Sequence, residues 1–127
     1  MKYLLDTHTF LWWATDPSRL SDQCQQVLTE ANEVLLSVVT AWELQIKQQA
    51  GKLNLTLPLR QLLQEQMAQN HLRLLPIRLE HIFALEQFPL HHRDPFDRLL
   101  AAQTLVEQAT LLTADTAFAV YPIRTFW

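Results

Sequence analysis

Five acids are spaced along the 127-residue chain so that they could act together: Asp6, Glu43, Asp94, Asp97 and Asp115. Gathered in one place, carboxylates raise one another's pKa values and destabilise the fold that holds them. A cation resolves that conflict. Ligation by oxygen alone, without Cys or His, suits a hard divalent ion such as Mg²⁺ or Mn²⁺. One or two such ions can flank the attacking and leaving oxygens of a phosphodiester, so the implied reaction is metal-assisted hydrolysis. Each acid also has a plainer role open to it. Asp6, Asp94 and Asp115 can cap helices, Asp97 can complement a helix dipole, and Glu43 can pair with Lys47 four residues on. Convergence is what separates the two possibilities.

The elements that must position these acids follow from patterning. Tyr3 to Leu5 is a short apolar run ending in Asp6, and Thr7 to Ala14 reads as helical, with Asp16-Pro17 as a breaker. Ser21 suits the N-cap of a helix through about Ala31, in which Cys24, Val27 and Leu28 recur at helical spacing. Val34 to Val38 is apolar and β-branched, as a strand buried on both faces of a parallel sheet should be. Thr40 to Gln49 reads as a helix stopped by Gly51, with Ala41, Leu44, Gln45 and Gln48 along one side and Glu43 in its first turn or two.

Pro58 opens another amphipathic helix through about Asn70, Leu72 to Ile77 is a third apolar run, and Leu79 to Phe88 is helical again. Asp94 before Pro95 has the N-cap and N1 arrangement and starts a helix to about Gln108. Thr110 to Thr113 gives a fourth strand and Ile123 to Phe126 a weaker fifth. This alternation predicts an α/β fold of three layers, helices covering both faces of a mainly parallel sheet of four to five strands. In such a sheet ligands bind outside the carboxyl ends of the strands, which is where all five acids are expected. Thirteen glutamines, mostly on polar helix faces, suggest no chemistry.

Other chemistries lack their residues. Gly51 is the only glycine, whereas phosphate-cradling loops need several. Cys24 is the only cysteine, and the five histidines, His91-His92 among them, lack ligand spacing, so neither a disulfide framework nor a structural zinc site is expected. A dehalogenase-like phosphatase needs a second Asp two residues after the first, where His8 stands. The string His92-Arg93-Asp94 resembles a kinase catalytic loop, but Leu99 occupies the place of its Asn. The expected setting is cytoplasmic, without a membrane partner, because Asp6 follows the first five residues and no apolar run approaches about 18 residues. The net charge of −3 names no partner, and 49% hydrophobic with 18% charged residues fits a single folded domain over residues 1–127.

Ordered stretches of the chain resemble a known family. Leu4-Leu5-Asp6-Thr7, Ser37-Val38-Val39-Thr40-Ala41-Trp42-Glu43-Leu44 with Lys47, His92-Arg93-Asp94-Pro95-Phe96-Asp97-Arg98-Leu99-Leu100-Ala101-Ala102-Gln103, and Leu112-Thr113-Ala114-Asp115 with Phe118 and Tyr121 look like the PIN domain. More narrowly, they are similar to the toxin ribonucleases of VapBC-type toxin–antitoxin pairs. The resemblance implies that Asp6, Glu43, Asp97 and Asp115 hold Mg²⁺ or Mn²⁺ and activate water for RNA cleavage, with Asp94 an accessory acid. It implies supporting roles for the Thr7 and Thr113 hydroxyls, a cognate antitoxin partner and commonly a homodimer. Lys47, Arg93 and Arg98 stand near these motifs and could meet RNA phosphates, or could pair with neighbouring acids. The alternative is a non-catalytic PIN-like module that binds RNA or protein.

Overall fold

A computed structural model of the chain describes residues 1–30, 33–90 and 94–127. The strands are β1 (Lys2–Leu5), β2 (Glu33–Ser37), β3 (Arg73–Leu75), β4 (Thr110–Leu112) and β5 (Arg124–Phe126). The helices are α1 (Thr7–Thr15), α2 (Asp22–Glu30), α3 (Val38–Gln49), α4 (Leu59–Gln69), α5 (Leu79–Ala84) and α6 (Pro95–Val106). All strand pairs are parallel, in the order β3-β2-β1-β4-β5.

Successive strand residues point to opposite faces, and here both faces are covered. Leu4, Leu35 and Leu111 pack with Ala84 of α5 and Leu100 and Ala101 of α6, whereas Leu5, Leu36 and Leu112 pack with Phe10, Cys24, Leu44 and Leu62 from α1 to α4. The three-layer α/β/α arrangement predicted from the alternation of elements is therefore present. Leu4, Leu5, Leu36, Leu111 and Leu112 are all fully buried, each worth roughly 1.5–3 kcal/mol. Among the described residues, no helix is long and apolar enough to cross a membrane.

The winding locates the reversal of strand order. From β1 the chain proceeds outward to β2 and β3, then α6 carries it back so that β4 lies on the other side of β1. The strand order thus reverses between β1 and β4, and ligands of open parallel sheets bind at the carboxyl ends beside that reversal.

Several boundaries differ from the patterning. Val38 belongs to α3, not to β2, and α3 begins two residues before Thr40: the Ser37 side chain accepts the Val39 N–H at 3.0 Å, and this cap outweighs the strand preference of the two valines. The inward residues of α3 are accordingly Val39, Thr40 and Leu44, while Gln45 is exposed. β3 covers only Arg73–Leu75, because Pro76 brings no N–H to the ladder. The α-helix expected over Leu79 to Phe88 stops at Ala84 and tightens into a 3₁₀ turn over Leu85–Gln87. Gly51 does follow the α3 cap, with φ +73°. The expected end of α2 at Ala31, and His91, His92 and Arg93, lie outside the described residues.

Candidate functional site at the carboxyl ends of the strands

Asp6 sits beside the reversal, where its backbone N–H donates to the Leu112 carbonyl of β4 at 3.2 Å. Its side chain is buried, with one donor on each oxygen. Oδ1 accepts the Thr9 N–H at 2.8 Å, capping α1, and Oδ2 accepts the Thr113 hydroxyl. The same Thr113 oxygen accepts the Asp115 N–H at 3.0 Å, and Asp115 caps the 3₁₀ turn over Thr116–Val120 by accepting the Ala117 N–H at 2.9 Å. Thr9, which sequence reasoning passed over, ties α1 to β4 by donating to the Leu112 carbonyl at 2.8 Å.

Glu43 reaches this edge from α3. Thr7, next to Asp6, donates its hydroxyl to Glu43 Oε1 at 2.7 Å, and Lys47 Nζ lies 2.9 Å from Oε2. Asp94 caps α6, accepting the Phe96 N–H at 2.9 Å and the Asp97 N–H at 3.3 Å. The Phe96 ring meets Trp42 edge to face, with centroids 5.0 Å apart, so the residues before Asp97 and before Glu43 are in contact. Burial raises the Tyr121 hydroxyl pKa; Arg98 opposes that rise, and Asp97 and Asp94 add to it, which puts these groups in one electrostatic neighbourhood. Arg98 itself donates to the Pro89 carbonyl at 2.8 Å.

The plain roles open to these acids are therefore present. Asp6, Asp94 and Asp115 cap, Glu43 pairs with Lys47, and the contacts through Thr7, Thr113 and Trp42–Phe96 place the acid-bearing segments on one edge. No three of these acids bring their oxygens within 4.8 Å of one another. Buried Asp6 receives only neutral donors, and no ion pair among the described residues involves it. All-oxygen donors around an uncompensated buried carboxylate fit a hard divalent ion. The charge also reaches Cys24, whose thiol is pushed up to about 11 by its burial and then by Asp6. That thiol stays protonated and inert at neutral pH.

The group whose ligand atoms do lie within 4.8 Å, among the described residues, is Glu80, His81 and Glu107. It already has its cations. Arg78 donates to Glu80 at 2.7 Å and to Glu107, and Lys2 Nζ lies 3.6 Å from Glu107. His81 Nδ1 accepts the Arg78 backbone N–H at 3.0 Å, so the ring proton sits on Nε2 and points to Glu107 at 2.9 Å. Burial would raise the Glu107 carboxyl, but hydrogen bonds from His81 and Arg78 and the charges of Arg78 and Lys2 hold it below its ordinary value. A lowered folded value means that Glu107 contributes stability above the ordinary carboxylate pKa and loses it as pH falls through the lowered one. Wild type should therefore lose more melting temperature than Glu107→Gln between neutral and acid pH; parallel curves for the two would refute the linkage.

Residues 3–123 match the PIN domain family. Ribonuclease VapC22 of Mycobacterium tuberculosis (strain ATCC 25618 / H37Rv) is 30% identical over 113 residues, covering 88% of this chain and 85% of that protein. Among solved structures, VapBC2 from Rickettsia felis bound to a promoter DNA fragment superposes with a TM-score of 0.76 at 18% identity, over 99% of this chain and 98% of that one. FitAcB from Neisseria gonorrhoeae gives 0.68 at 22% identity, over 98% and 96%. The fold, the ordered motifs and the similarity over most of its length agree: this chain belongs to the PIN domain family and is of the VapC type.

Proposed function

We propose that this chain is a metal-dependent endoribonuclease, a single domain of residues 1–127 acting in the cytoplasm as the toxin of a toxin–antitoxin pair. What supports the reading is that Thr113 links Asp6 to Asp115, Thr7 beside Asp6 bonds Glu43, and Trp42–Phe96 joins the residues before Glu43 and Asp97, all beside the β1/β4 reversal. Asp6, Glu43 and Asp97 are the residues to hold Mg²⁺ or Mn²⁺, with Asp115 completing the set or serving a second ion and Asp94 as accessory acid. When bound there, the metal supplies positive charge against the developing negative charge on the phosphate and makes water more acidic.

The chain's own groups do the positioning. Thr9 and Thr113 fix both oxygens of Asp6, and Thr7 orients Glu43. One of the carboxylates takes the proton of the attacking water. Lys47 and Arg98 are the cations proposed to meet backbone phosphates, Lys47 by exchanging its Glu43 contact for one and Arg98 its Pro89 carbonyl. The name of the relative VapC22 supports RNA as substrate, and the VapBC and FitAcB complexes support a cognate antitoxin. A homodimer is the proposed assembly.

The test is to incubate the purified, antitoxin-free chain with a mixed cellular RNA pool and to map new ends by sequencing. Internal cleavage with Mn²⁺ and none with EDTA is expected. Salt-sensitive RNA binding without new ends in Mn²⁺ would assign the chain to the non-catalytic alternative.

A further inference from the structure

Most of the glutamines carry no evident chemistry, but Gln103 on α6 is completely buried. Its carboxamide makes contacts in three directions. Oε1 accepts the Ser37 hydroxyl, while Nε2 donates to the Pro76 carbonyl at 3.2 Å and lies 3.3 Å from His81 Nδ1. Ser37 is also fully buried, and its oxygen accepts the Val39 N–H of α3, which leaves its proton for Gln103. The Ser37 hydroxyl needs an acceptor and the Pro76 carbonyl a donor, so the carboxamide has one orientation that satisfies both, with its amide nitrogen beside His81 Nδ1, which already accepts the Arg78 N–H.

Ser37 is the cap of α3, which carries Glu43, and Gln103 lies on the helix that carries Asp97. The link joins the two helices at a fixed register, and His81 anchors it to the Arg78 and Glu107 ion pairs. We propose that Gln103 is a positioning residue that sets the placement of Glu43 relative to Asp97 through Ser37. This rests on the metal reading of the acids given above. A buried polar network that is fully satisfied favours one arrangement of the elements it joins, whereas an apolar joint tolerates sliding.

The experiment is Mn²⁺ titration of the full chain by calorimetry, with melting in EDTA as the measure of stability. Gln103→Met keeps the volume and removes all three contacts. Ser37→Ala breaks the same link from the α3 side and keeps the test standing if the first variant fails to fold. Thr104→Val, at a buried neighbour whose hydroxyl donates to the Leu100 carbonyl of the same helix, controls for general destabilisation. Each of the first two should weaken Mn²⁺ affinity about tenfold, and the double variant by less than the product of the two, because both cut the Ser37–Gln103 link while Ser37→Ala also removes the α3 cap. Thr104→Val should leave the affinity unchanged. Gln103→Met that melts lower in EDTA but binds Mn²⁺ as wild type does overturns the proposal, since Gln103 then serves packing alone. A wild type that takes up no Mn²⁺ overturns the metal reading itself, and the proposal falls with it.

Discussion

Asp97→Asn should reduce RNA cleavage by at least about 10²–10³-fold while its melting temperature in EDTA stays level or rises. The substitution preserves size and removes one negative charge. In the first turn of α6 that charge is worth about 0.3–1 kcal/mol against the helix dipole. Removing it also relieves repulsion from Asp94, whose side chain accepts the Asp97 N–H, so the two effects on stability oppose each other. Catalysis has no such compensation, because a carboxamide brings no charge to a divalent ion. The measurement pairs initial cleavage rates in Mn²⁺ with circular dichroism of the same preparation. Full cleavage by a folded Asp97→Asn protein would sink the assignment of the acids.

Mn²⁺ at about 100 times its Kd should stabilise wild type by roughly 2.7 kcal/mol over EDTA, a rise on the order of 10 °C for a domain of this size. In Asp6→Asn the rise should vanish. Asn is as good a cap as Asp, so α1 keeps its acceptor for the Thr9 N–H, and the variant in EDTA should melt close to wild type. What disappears is the buried charge at the centre of the site. Differential scanning calorimetry on both proteins, with and without metal, reads this without any RNA. Equal melting of wild type in Mn²⁺ and EDTA would contradict a cation site at these acids.

Much of this arrangement was legible in the sequence because its causes are local. Helix caps announce themselves through residue type, so Asp6, Asp94 and Asp115 could be placed at element starts, and the crossover rule then set those starts on one edge. The α3 boundary was misjudged where two local preferences competed, the capping Ser37 against the β-branched Val38 and Val39. Gln103, Thr9 and His81 were missed for a different reason: each acquires its role from partners on other elements, Ser37 and Pro76 for Gln103, Leu112 for Thr9, Glu107 for His81. A glutamine within a helix looks alike in sequence whether it faces water or a buried serine. The one available signal was its position, three residues beyond Leu100 on the inward stripe of α6.

The hydroxyl that steadies Asp6 belongs to Thr113, 107 residues further along the chain. A ribosome adding about 5–20 residues per second exposes the Asp6 segment long before β4 exists. During synthesis β1 can pair with β2, but its other edge, and with it the β4 side of the site, waits for nearly the whole chain. On the proposed function, a growing polypeptide attached to its own message would carry no assembled cutting edge, and activity would arrive only with the closing strands.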